Sequence, residues 1–232
     1  MIFVTGDIHG GRTLSKLSSK NWPTGQNLTK KDYVIITGDF GLLWTDEPDS
    51  EEKWWKGWLM AKPWTTLFVD GNHENFNRLN ALPQIEKFGS LVGEYADNIL
   101  HLRRGNIYTI DFMKFFCLGG ARSPDKLRRK IGIDWWPEEE LNYAEHNFAL
   151  SNLETNNNEV DFIISHTGPI MLIQLLTLPV YRMTTADTTS IFLEHVVNTV
   201  KFKKLYCGHF HVDKEIHKFR VLMDDIIEIK NS

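Results

Sequence analysis

This sequence of 232 residues predicts a layered α/β sandwich, and two of its features carry the prediction. Short apolar runs rich in β-branched and aromatic residues recur along the chain, each stopped abruptly by glycine or polar residues, as strands are. The runs are near-continuous rather than alternating, the pattern of strands covered on both faces. In chain order, the run 2–5 leads to a candidate helix at 12–20, and 33–37 to one at 51–62. The run 66–69 precedes a candidate helix at 75–82. Runs at 107–109 and 114–118 are close enough to form an antiparallel pair. A helix is expected over 138–153, led in by Pro137 and an acidic first turn, Glu138-Glu139-Glu140, which the helix dipole favours. The run 161–165, a helix at 187–200 and the run 204–207 follow, and runs at 215–219 and 226–230 suggest a last antiparallel pairing.

Hydrophobic residues are 42% and charged residues 24%, values that exclude disorder, collagen and a long coiled coil. Lys and Arg number 26 against 30 Asp and Glu, so at net charge -4 the chain as a whole is no polycationic nucleic-acid binder. Two cysteines, Cys117 and Cys207, make no disulfide framework. No apolar run reaches the ~18–20 residues of a membrane span. The opening MIFVTGDIHG has no basic leader, so a reduced, cytoplasmic, single-domain protein is expected.

The residues after each buried run matter most. Gly6-Asp7-Ile8-His9-Gly10 follows the first, Gly38-Asp39-Phe40-Gly41 the second and Asp70-Gly71-Asn72-His73-Glu74 the third. His166-Thr167-Gly168-Pro169 and Gly208-His209-Phe210-His211 follow the runs at 161–165 and 204–207. In open α/β sheets functional groups gather at the carboxyl ends of strands. Any one of these motifs alone is weak, because a Gly-Asp after a strand is usually a turn. Together they bring two Asp, one Asn and four His to one edge, a costly load of polar groups unless metal ions compensate it.

The ordered set D-x-H, GD, GNHE, an isolated His and GH-x-H, spread from Asp7 to His211, resembles the signature of the calcineurin-like metallophosphoesterases. The resemblance implies one domain over 1–232, a four-layer α/β/β/α sandwich of two mixed sheets flanked by helices. It implies a dinuclear site bridged by an aspartate and a hydroxide that attacks a phosphate mono- or diester. Carried over by position, Asp7, His9 and His211 hold one metal, Asn72, His166 and His209 the other, and Asp39 bridges both, while His73 is the general acid. Imidazole and carboxylate donors suit Mn, with Fe, Zn, Ni or Mg as alternatives, and a bridging carboxylate sets such ions ~3.5–4 Å apart. Implied substrates are phosphate esters, nucleotides among them.

The chain departs from the protein-phosphatase branch after Gly38-Asp39, where Phe40-Gly41-Leu42-Leu43-Trp44 replaces a valine-Asp-Arg-Gly segment. Leu42 therefore stands where an Asp would orient His73, leaving Asp70 and Glu74 as candidates for that role, and Arg12 and Arg122 as candidate phosphate contacts. The segment 119–137, similar to a loop of bacterial and phage members, is expected near the site. Its Lys126, Arg128, Arg129 and Lys130 and the pair Trp135-Trp136 suit either substrate contact or a solvated basic turn. A nuclease or nucleic-acid end-processing phosphatase is the alternative reading. A non-catalytic module is a third, against which the retention of every ligand position and His73 argues. Trp54, Trp55 and Trp58 are expected to cover a core, Cys207 to pack within its strand, and His101, His146, His195 and His217 to be structural or on the surface.

Overall fold

The computed structural model describes residues 1–176 and 187–230. Thirteen strands among these residues form two mixed sheets. In the first, β1 (Ile2–Thr5), β2 (Tyr33–Ile36), β3 (Thr65–Phe68) and β6 (Ile99–Leu102) run parallel in that order. The antiparallel β13 (Ile226–Ile229) flanks β1, and β5 (Ser90–Ala96) and β4 (Gln84–Lys87) extend the far side. In the second, β8 (Met113–Leu118), β9 (Phe162–Ser165), β10 (Lys204–Cys207) and β12 (Phe219–Val221) are parallel, edged by antiparallel β7 (Asn106–Ile110) and β11 (Lys214–Ile216).

Side chains alternate between the two faces of a strand, and that alternation builds three layers of core. Ile2, Val4, Ile35 and Leu67 of the first sheet meet Tyr108, Phe115, Phe162 and Tyr206 of the second. Phe3, Val34, Ile36 and Phe68 point outward, under Leu14, Leu17, Leu59 and Trp64. Phe116, Ile163 and Leu205 of the second sheet point outward beneath α3 (Tyr143–Thr155), α4 (Ile170–Leu176) and α5 (Thr188–Thr199), through Leu153, Leu172 and Phe192. The arrangement is the expected four-layer α/β/β/α sandwich. Both cysteines are buried and unpaired, and burial pushes both thiols up.

Several elements differ from expectation. The helix expected at 12–20 is only the 3₁₀ turn Leu14–Leu17, because Lys16 turns inward and its ammonium donates to the carbonyls of Gly6, Asp7 and Met223. The helix expected from 138 begins at Tyr143, set by a capping box in which Asn142 and Glu145 satisfy each other's backbone N–H. Residues 215–219 contain a turn between β11 and β12 rather than one strand. Of the three tryptophans of α1 (Ser50–Met60), Trp55 and Trp58 pack on the core, while Trp54 is 59% exposed.

Candidate metal centre

The carboxyl ends of β1, β2 and β3 in one sheet and of β9 and β10 in the other face a common cleft. The loops after β1 and β2 are tied together by Ile8 and His9 N–H donation to the Asp39 carbonyl (3.2 and 2.8 Å) and by Gly10 donation to Phe40 (2.9 Å). His9, Asp39, His209 and His211 all lie at positive φ, between 44° and 65°. L-residues adopt that region at a cost, and such residues cluster at functional sites. Close approach fixes two glycines: a Cβ on Gly208 would fall 1.9 Å from Asp7 Oδ1, and one on Gly71 2.2 Å from Asp39 Oδ1.

Asp7, His9, Asp39 and His211 each present one ligand atom, and all four atoms lie within 4.8 Å of one another. His9 Nε2 is 3.2 Å from Asp39 Oδ2, and His211 Nε2 is 3.4 Å from Asp7 Oδ2. The other Asp39 oxygen faces a second group. His166 Nε2 lies 3.2 Å from Asp39 Oδ1 and 3.2 Å from Asn72 Oδ1. His166 Nδ1 donates to the Thr37 carbonyl (2.8 Å), which accepts only, so Nε2 is the nitrogen offered to the cleft. The His209 ring lies 5.0 Å from that of His166, and its backbone N–H donates to the Asp7 carboxylate. The structure thus brings all seven residues read from the sequence as ligands to one place: four share a group of ligand atoms, His166 meets the other Asp39 oxygen and Asn72, and His209 lies beside His166.

The site's own charge asks for a cation. Asp7 and Asp39 are 0% and 1% exposed. Burial works against a charged His166, yet Asp39 and Asp7 outweigh it and hold a proton there, with its pKa raised to about 10. Burial likewise acts to raise the Asp39 carboxyl, but His166, His73 and His9 hold it well below the usual range. His209, buried beside a charged His166, is pushed down to about 3. A cation would take over the role of the His166 proton: two buried carboxylates, imidazoles and an amide oxygen, with no thiolate, form a donor set suited to divalent first-row metals. The residues fit such ions.

A cleft of about 410 Å³ opens beside His9 and is lined by His73, Trp44, Arg12 and Arg129. His73 Nε2 stands 4.0 Å from Asp39 Oδ2 without joining the four-residue group. Leu42 is buried in the core, and neither carboxylate candidate turns to His73. Glu74 accepts from the backbone N–H groups of Phe40, Gly41 and Gly71, and Asp70 from Arg104, its other oxygen lying 3.0 Å from His101 Nε2. Instead the Trp44 ring stacks on His73, with centroids 5.5 Å apart at 27°, and Arg129 Nη2 lies 3.4 Å from His73 Nε2. Of the two arginines proposed from sequence, Arg12 lines the cleft, whereas Arg122 Nε lies 3.8 Å from Glu140 Oε1. Arg129 was legible only as one of four basic residues in a loop, and Trp44 only as the end of a divergent motif. His101 is structural, as expected, through Asp70.

No curated protein matches the chain. Residues 1–213 match the family model for calcineurin-like phosphoesterase. That match takes in the ends of β1, β2, β3, β9 and β10 that face the cleft, and the chain belongs to the calcineurin-like phosphoesterases, a family of metal-dependent hydrolases of phosphate esters.

Proposed function

We propose that the chain hydrolyses phosphate mono- or diesters with two divalent cations, the first held by Asp7, His9, His211 and Asp39 and the second by Asp39, Asn72, His166 and His209. The observation that carries this reading is the approach of four ligand atoms within 4.8 Å of one another beside a cleft that His9 and His73 line. Bound cations of this kind supply Lewis acidity, acidifying water and neutralising the charge that gathers on phosphate oxygens. Mn is our first choice on donor chemistry, with Fe, Zn, Ni and Mg as alternatives.

His73 carries the remaining proton transfer, giving its proton to the departing ester oxygen. Burial lowers its pKa, with Asp39 opposing that and Arg129 adding to it. A phosphate anion in the cleft opposes that lowering, since nearby negative charge favours imidazolium. Arg129 and Arg12 stand where a guanidinium can meet phosphate oxygens and hold the ester toward the floor. Asp39, holding both groups of ligands together, fixes their spacing.

The nuclease reading has weaker support. In the loop 119–137, Arg129 and Lys126 lie against Asp125 and Glu140, so acidic side chains are interleaved with the basic ones where a nucleic-acid backbone would call for an unbroken basic track. Among the described residues, no helix is long and apolar enough to cross a membrane. The deciding experiment is hydrolysis of paired p-nitrophenyl phosphate and bis-p-nitrophenyl phosphate with and without added Mn. Metal-dependent turnover of at least one supports the proposal. No turnover of either at saturating Mn contradicts it.

A further inference from the structure

An asparagine ligand has a symmetry problem that a carboxylate does not. Its amide oxygen and nitrogen are nearly the same size, yet only the oxygen can face a cation; the nitrogen presents two hydrogens. Something has to choose between the two ends. In this chain the choice rests with the loop after β8, which crosses above Asn72.

Asn72 Nδ2 donates to Ser123 Oγ at 3.2 Å, and that bond leaves Oδ1 facing His166 Nε2. A serine hydroxyl can donate as well as accept, so Ser123 alone would allow either end of the amide. Glu139 removes the ambiguity. Its Oε2 accepts from the Ser123 backbone N–H at 3.1 Å, and the Ser123 hydroxyl, held next to this carboxyl, acts with that N–H to lower the carboxyl's pKa. With its hydrogen drawn toward the Glu139 carboxylate, Ser123 Oγ is left to accept from Asn72. The relay is dry: Asn72 and Ser123 are each 2% exposed and Glu139 is 1%. Burial pushes the Glu139 carboxyl up to about 7 against the pull of the Ser123 bonds. Protonation does not break the relay, because Glu139 Oε1, which has no partner, can carry the proton while Oε2 goes on accepting.

We propose that Ser123 and Glu139 are positioning residues that fix the Asn72 amide with its oxygen toward the cleft floor, and so set the affinity of the second cation position while leaving the first untouched. The inference rests on the two-cation reading above and assigns the loop 119–139 a part in it.

The test is Mn titration of the metal-free full-length chain by calorimetry, with bound metal counted by elemental analysis and folding checked by circular dichroism. Wild type is expected to bind two Mn. Ser123→Ala and Glu139→Ala should bind the first unchanged and the second ~10–100-fold more weakly, the usual cost of losing an outer-shell partner. Glu139→Gln, whose amide oxygen can still accept from Ser123, should stay close to wild type and serves as the folded control. If wild type binds two Mn and folded Ser123→Ala and Glu139→Ala bind the second as tightly, the inference fails alone. Equal weakening of both positions also overturns it, since that is what a merely structural role would give. Wild type that binds fewer than two Mn overturns the two-cation reading and this inference with it.

Discussion

His73 is held by its neighbours in a way that the usual carboxylate partner would not need. The Trp44 indole covers one face of the imidazole, and Arg129 approaches its Nε2. Two predictions belong to this residue. His73→Ala should lower turnover of an alkyl phosphate ester by ~2–4 powers of ten, the scale of a lost acid–base group. Metal content should be unchanged, and p-nitrophenyl esters, whose leaving group needs little protonation, should lose less. Trp44→Ala should copy that selectivity at lower amplitude, about 10–100-fold on alkyl esters, as expected for a misplaced rather than missing group. Trp44→Phe, which keeps an aromatic face, should recover most of it, and steady-state kinetics on the two ester types checks both. The proposed ligand positions were legible in the sequence because metal chemistry requires particular residue types right after strand ends. Trp44 and Ser123 were not, because a stacking face and a hydroxyl relay leave no spacing pattern.

Among the elements, β3 and β6 are joined by more than their ladder. Asp70, at the end of β3, takes a hydrogen bond from Arg104 Nε (2.8 Å) and lies 3.0 Å from His101 Nε2 of β6, all three being buried. This network holds the strand end from which Gly71, Asn72 and His73 continue. Burial acts to raise the Asp70 carboxyl, but Arg104 and His101 hold it well below its ordinary 3.8. Asp70→Asn removes one of the two carboxylates that face Arg104, leaving it Glu145, and should cost about 1.5–3 kcal/mol in urea unfolding, the scale of a hydrogen bond to a charged group. A depressed folded-state pKa contributes stability above the unfolded value and loses it as pH falls toward the folded one. The gap between wild type and Asp70→Asn should therefore be full at pH 7 and shrink below pH ~4. Strands β1, β2, β3, β9 and β10 were legible because burial on both faces leaves unbroken apolar runs. Strands β4, β5 and β6 escaped notice: β4 alternates exposed and half-buried residues, β5 carries Gly93 and Glu94, and β6 contains His101. The short 3₁₀ turn at Leu14–Leu17 was hidden by Lys16, whose helical propensity gives no sign that its ammonium is bound inward.

Across the whole molecule, the proposed ligands come from both sheets: Asp7, His9, Asp39 and Asn72 from the first, His166 and the two histidines after β10 from the second. A cation held between them ties the sheets together in the folded chain and has no equivalent site in the unfolded one, so binding adds to stability by mass action. At 100 times its dissociation constant, one Mn should add about 2.7 kcal/mol, read as a rise in melting temperature that chelator reverses. Asp39→Asn, which weakens both groups of ligands, should abolish that rise. The layer order was legible from runs and intervening helices; the pairing of the two sheets came from the family resemblance, because no local pattern states which strands become neighbours.

The most direct measurement is anomalous diffraction from crystals of the wild-type chain soaked in saturating Mn. Two peaks are predicted, one among Asp7, His9, Asp39 and His211 and one among Asp39, Asn72, His166 and His209. A single peak, or none within reach of Asp39, would contradict the proposed dinuclear centre.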